Sequence, residues 1–287
     1  MRPGNRSRTS DWVAALRALY SEAPPELAIF DDGVAQRLLP TGLGLLVRGA
    51  AALPRGTRTL HRVIGAATRG LSYGVPLRTA AIDDAITSEV SRGAQQLVLL
   101  GAGLDARAYR MPALADVEVF ELDHPDTQEY KRDRVRGLSP LSRAVHFCSI
   151  DFERQTLAEA LAPSGFEPSR KSIWVWEGVT MYLTHEAIDA TLAAVSELAA
   201  PGSRLALTYL PRRYATPWLE RVGSVGATLI GEPLRAQQEP EELANRLERK
   251  GFFVEQDDSA LEWARRWPAP DAARVRAYER LTVARRQ

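Results

Sequence analysis

Two glycines one residue apart, Gly101 and Gly103, follow directly on the apolar run Leu97-Val98-Leu99-Leu100. A strand that ends on such a pair turns sharply and lets a ligand approach the backbone with no Cβ in the way. Asp123 stands twenty residues beyond Gly103, closing a second β-rich run, Val119-Phe120-Glu121-Leu122-Asp123. A carboxylate at that place accepts hydrogen bonds from two ribose hydroxyls. Together these features predict an adenosine-bearing ligand over Gly101, Ala102, Gly103, Leu122 and Asp123. The stretch Gly101 to Ala106 also fits the glycine pattern of nicotinamide-dinucleotide enzymes, so spacing alone leaves two ligand classes open.

Further candidates stand at the ends of later runs. Ile150-Asp151-Phe152 brings a carboxylate and a ring to the place an adenine would take. Asp151 can accept from the exocyclic amine, or it can cap a helix that starts behind it. Trp176-Glu177-Gly178 puts Glu177 at a strand end facing the same crevice, where a plain surface glutamate is the alternative reading, and Gly178 opens the backbone there. Tyr182, Tyr209 and Trp218 are the candidates for touching an acceptor. No general base emerges, because His124, His146 and His185 have no spacing that ties them to one. The four histidines lack His-x-x-x-His or similar ligand spacing, and the single cysteine, Cys148, is read as a core thiol, so no metal site is expected.

These residues need a scaffold that brings strand ends together. Short β-rich runs recur at Gln96 to Leu100, Val117 to Leu122, Val145 to Ile150, Ser172 to Trp176 and Arg204 to Tyr209. Helical segments fit between them, at Asp126 to Arg136, Glu153 to Leu161 and Thr184 to Leu198. This alternation predicts a doubly wound α/β fold with a mainly parallel sheet. A helix over Glu242 to Lys250 and strands at Phe252 to Glu255 and Leu281 to Ala284 close the chain. Residues 1 to about 90 carry no strand rhythm and read as a helical N-terminal cap, with helical pieces at Trp12 to Tyr20 and Val34 to Leu39. The core then runs over 91–287, with 211–240 as a lid insertion.

Composition narrows the class of partner. The 287 residues are 45% hydrophobic, and 37 basic against 36 acidic residues leave a net charge of +1. That balance argues against a nucleic-acid binder. No apolar run approaches the ~18 residues of a membrane span, and no signal-peptide h-region follows the N-terminal arginines. The expectation is a soluble, cytoplasmic protein. Gly70-Leu71-Ser72-Tyr73-Gly74 matches the nucleophile elbow of hydrolases, but it follows a helical pattern where the elbow requires a strand.

Three segments carry a family resemblance: Leu99 to Arg110, Phe120-Glu121-Leu122-Asp123-His124-Pro125, and Glu177-Gly178-Val179-Thr180-Met181-Tyr182-Leu183. With Leu77-Arg78-Thr79-Ala80-Ala81-Ile82-Asp83 and the pattern from Arg17 to Asp32, the sequence resembles the leucine carboxyl methyltransferase-like group of S-adenosylmethionine (SAM)-dependent O-methyltransferases. Bacterial members often act on small natural products. The resemblance implies a seven-stranded class I methyltransferase sheet. It implies SAM as cofactor, held by Arg78 at its carboxylate and by Gly101 and Gly103 under its methionine portion. Asp123 would take the ribose, Asp151 and Phe152 the adenine, and Glu177 the amino group or the sulfonium. Ala106 stands where the group has threonine, and beyond residue 185 its motifs thin out. The implied acceptor is a small molecule with a carboxylate or hydroxyl oxygen. A module that binds SAM without transferring methyl would carry the same motifs, and the oligomeric state is not legible.

Overall fold

The computed structural model describes residues 8–22, 29–53, 55–151, 154–212, 234–267, 275–276 and 278–287. Seven strands make one sheet: β1 (Gln96–Leu100), β2 (Glu118–Asp123), β3 (Ala144–Ser149), β4 (Ser172–Trp176), β5 (Arg204–Tyr209), β6 (Phe252–Ser259) and β7 (Arg280–Arg286). Their order is β3-β2-β1-β4-β5-β7-β6. The first five run parallel, and β7 lies antiparallel between β5 and β6. The five expected strands form within one residue of their expected ends. The last two are longer than expected. In β6 a bulge between Val254 and Gln256 and the polar stretch Gln256 to Asp258 erase the alternation that marks a strand.

Successive residues of the central strands point into two separate cores, which is why these strands read as unbroken apolar runs. Leu97, Leu99, Val119, Ile173, Val175 and Ala206 pack on one side, Val98, Leu100, Phe120, Leu122, Trp174 and Leu205 on the other. The first core is covered by α1 (Arg8–Ser21), α2 (Ala35–Leu38), α3 (Thr41–Ala51), α5 (Leu71–Ser91) and α7 (Pro125–Val135). The second is covered by α8 (Leu157–Leu161), α9 (His185–Leu198) and the helix Pro240–Glu248. A short helix, α6 (Arg107–Arg110), follows β1, and α4 (Gly56–Ala67) precedes α5.

Helix starts follow local chemistry. Thr184 caps α9 as its sequence suggests, accepting from the Ala187 amide at 3.3 Å. α8 begins four residues later than expected, at Leu157, because Thr156 and Glu159 form a reciprocal capping box; Asp151 is therefore not its cap. The Gly70 to Gly74 motif opens α5. Gly70 is its N-cap at φ +92°, and the buried Ser72 hydroxyl meets Thr68, so there is no strand before a nucleophile. Most of the expected lid, residues 213–233 with Trp218, lies outside the described residues, as does Phe152. No helix among the described residues is long and apolar enough to cross a membrane.

Candidate functional site

The strand order reverses between β1 and β4, and the carboxyl ends of β1, β2 and β4 therefore splay around a crevice. The bend after β1 is fixed by two amides, Gly101 and Ala102, donating to the Leu122 carbonyl at 2.9 and 3.0 Å. Gly101 and Gly103 sit at φ +68° and +52°, the left-handed region that glycine enters without strain. A Cβ on Gly101 would lie 2.7 Å from Val179 Cγ2. The bend is tied to the second strand by Asp123. Its Oδ2 accepts from the Gly103 amide at 2.5 Å and its Oδ1 from the His124 amide at 2.6 Å. Each carboxylate oxygen has a second lone pair, so two hydroxyls can still be received. Burial pushes the Asp123 carboxyl above its ordinary range, against the pull of those two amides.

Behind the bend lies a buried array of charge. Glu177 divides its oxygens between Arg78 Nε at 2.8 Å and Arg107 Nη1 at 2.9 Å. Burial alone would raise its pKa, but the two guanidiniums outweigh that and hold it at about 2. Arg107 is 1% exposed and also donates to Asp83 at 2.7 Å and to Asp105. Arg110 joins Asp83 at 2.7 Å to Asp32 at 3.4 Å, and Arg17 of α1 meets the same Asp32 at 3.1 Å. On the far side of Arg78, Nη1 donates to both oxygens of Glu279 at 2.9 Å. Another buried pair, Lys131 and Glu121 at 2.5 Å, braces β2 from α7.

A cavity of about 360 Å³ opens over this floor. Arg78, Gly101, Ala102, Gly103, Asp123, Asp151, Glu177, Gly178 and Tyr182 all line it, each proposed from sequence. Leu122 does not line it; its carbonyl holds the bend instead. Tyr209 is a correction. It is 1% exposed within the second core, and its hydroxyl donates to Asp257 Oδ2 at 2.7 Å, away from the cavity. Sequence reasoning missed the contribution of α1, whose Thr9, Ser10, Val13 and Arg17 close one wall, and missed Arg235 at the rim. Arg17 had a signal: it interrupts the apolar stripe of Trp12 to Tyr20 and is 4% exposed.

The residues suit an adenosyl sulfonium amino acid. The bend offers backbone without a Cβ, Asp123 has two receiving oxygens, and Arg78 and Glu177 give both signs of charge for a zwitterion. No cluster of three or more His, Cys, Asp or Glu able to hold a metal occurs among the described residues.

Comparison with known proteins identifies the family. The leucine carboxyl methyltransferase family model matches residues 11–196. An uncharacterised Mycobacteroides abscessus protein that carries the name S-adenosyl-L-methionine-dependent methyltransferase is 36% identical over 208 residues, covering 71% of this chain and 67% of that protein. A Mycobacterium marinum protein of the same name is 30% identical over 96% of this chain and 92% of its own length. Other relatives are matched over less than two thirds of their length, one from Mycolicibacterium smegmatis over 66%. Among solved structures, an uncharacterised Thermobifida fusca protein named a methyltransferase aligns with TM-score 0.59 at 15% identity, over 98% of both chains. A DUF574 family protein from Streptomyces avermitilis gives 0.59 at 13% identity, over 82% of this chain and 92% of that one. These two likenesses bear on the fold, the mainly parallel seven-stranded sheet of class I methyltransferases. The chain belongs to the leucine carboxyl methyltransferase family, a family of SAM-dependent methyltransferases.

Proposed function

We propose that this chain holds SAM in the cavity and directs its methyl group to an oxygen of a small natural-product-like acceptor, a carboxylic acid suiting the site best. The observation that carries the reading is Asp123 at the cavity, its Oδ2 seated on the Gly103 amide of the bend and its Oδ1 on the His124 amide. Asp123 would take the ribose hydroxyls, Asp151 the adenine amine, Arg78 the carboxylate, and Glu177 the ammonium group. When bound, the sulfonium supplies a methyl group already activated for transfer. What is left to the protein is to hold the acceptor in line and exclude water, and orientation of that kind is worth up to ~7–11 kcal/mol.

The choice of a carboxylate rests on the absence of a suitable base among the described lining residues. A phenol, with reference pKa near ~10, needs its proton removed, whereas a carboxylate near ~4 is already ionised. His124 lines the cavity, but its Nδ1 accepts from the Asp126 amide at 3.3 Å to cap α7. Arg235, exposed on the rim and without an ion-pair partner among the described residues, favours an anionic acceptor as well.

Incubation with methyl-labelled SAM and a panel of carboxylic acids, each matched to its alcohol or phenol, tests this. The expected result is label in an alkali-labile methyl ester, with Arg235→Ala raising KM for the acid several-fold and leaving SAM affinity unchanged. Label on phenols alone would move the reading to hydroxyl methylation. Tight SAM binding with no transfer to any acceptor would make the chain a binding module.

A further inference from the structure

α3 and α4 carry apolar side chains on the sides turned away from the core. In α3, Leu45 and Leu46 stand opposite the buried Gly44 and Val47, and Leu53 lies seven residues further on, in the turn that follows. Val63 stands on the outer side of α4. These four side chains are between 50% and 63% exposed. Around them the exposed Gly42, Gly49, Ala52, Ala66 and Ala67 add only small side chains. The two helices pack on each other at the turn, where a Cβ on Gly56 would lie 2.9 Å from Leu53 Cβ.

The charge on this hairpin is all of one sign. No acidic residue occurs between Asp32 and Asp83, whereas Arg48, Arg55, Arg58, Arg62 and Arg69 fall on α3, α4 and their ends. The whole chain has a net charge of only +1, so basic charge is concentrated here. Arg55, Arg62 and Arg69 recur every seven residues and form one row along α4. Arg48, Arg55 and Arg62 are exposed, with no ion-pair partner among the described residues. Arg55 and Arg69 are also the described non-glycine residues at positive φ, +63° and +51°, where glycine would sit without strain.

An exposed aliphatic face bordered by unpaired arginines is complementary to phosphate headgroups over an apolar interior. A second copy of the chain would bring like charges together across the contact. A protein partner would find none of the aromatic or methionine anchors that such interfaces favour, since the stretch from Pro40 to Ser72 contains no Phe, Trp, Tyr or Met. We infer that the α3–α4 hairpin docks on an anionic lipid surface, its leucines entering the headgroup boundary and its arginines meeting phosphates.

Co-sedimentation of the full chain with phosphatidylglycerol–phosphatidylcholine vesicles, and with pure phosphatidylcholine vesicles, tests this. The expected result is partition onto the anionic vesicles about tenfold or more above the neutral ones, weakening as salt is added. Leu45→Ser combined with Leu46→Ser is expected to weaken that partition about tenfold, and Arg62→Gln about fivefold. Arg55→Gly separates docking from folding. It is expected to weaken partition about fivefold while leaving the melting temperature unchanged or higher, because glycine relieves the positive φ. No partition onto anionic vesicles, or partition that these variants leave unchanged, would overturn the inference. So would a dimer in solution that the paired leucine substitutions dissociate, which would assign the face to a second copy.

Discussion

Asp123 ties the glycine bend to β2, and in the proposed reading the same side chain would receive two ribose hydroxyls. Replacing it by alanine removes both and should abolish measurable SAM binding. Asp123→Asn is the finer probe. One amide, of Gly103 or His124, would then face an NH2 group, leaving a donor unmet at a cost of about 1–3 kcal/mol in stability. Urea unfolding of the two variants checks this, and equal stability of Asn and wild type would count against it. Gly101→Ala is expected to destabilise by about 1–2 kcal/mol from the left-handed φ alone, with more from the approach to Val179. Single residues of this kind were legible in sequence, since a glycine pair and an acid at fixed spacing are local patterns. Arg107 was quoted only as part of a family segment. Its role depends on partners 24 and 70 residues away, which no local pattern reveals.

At the scale of elements, β1, β2, β4 and β5 were legible because they are buried on both faces and bounded by polar turns. Of the N-terminal helices, α1 and α2 fall on the helical pieces expected at Trp12 to Tyr20 and Val34 to Leu39, but α5 was not legible. α5 runs through Pro76 and buries Leu77, Arg78, Thr79, Ala80, Ala81 and Ile82 in succession, so no apolar stripe survives to mark it. α9 was legible for the opposite reason, having a polar cap, one apolar face and a Pro-Gly stop. Thr184→Ala should lower stability by about 1 kcal/mol through loss of that cap, with SAM affinity unchanged. A change in SAM affinity of more than twofold would mean that α9 influences the cavity in a way its position does not suggest.

Across the whole molecule, a chain of buried ion pairs joins α1, α5, α6, the end of β4 and the start of β7 beneath the cavity. The link between Arg78 and Glu279 spans 201 residues, a pairing that only the folded sheet brings together. Burial would raise Glu177 and Asp105, but neighbouring cations hold both at about 2, below ordinary values of 4.5 and 3.8. A depressed acid contributes its stability in full above its ordinary value and loses it as pH falls toward its folded value. Burial raises Glu121 and Asp123, so their penalty is relieved over a falling pH and the net slope is shallower than the two depressed acids alone would give. Glu177→Gln should therefore cost on the order of 3 kcal/mol near neutrality, with the gap to wild type narrowing as pH falls from about 4.5 toward 2. A gap independent of pH in that window would mean that the Glu177 charge is not what the array stabilises. The most direct test of the whole account is calorimetry of wild type and Asp123→Ala with SAM and with NADH. The account predicts SAM binding to wild type that Asp123→Ala abolishes, and no NADH binding; NADH binding lost in the same variant, with SAM ignored, would contradict it.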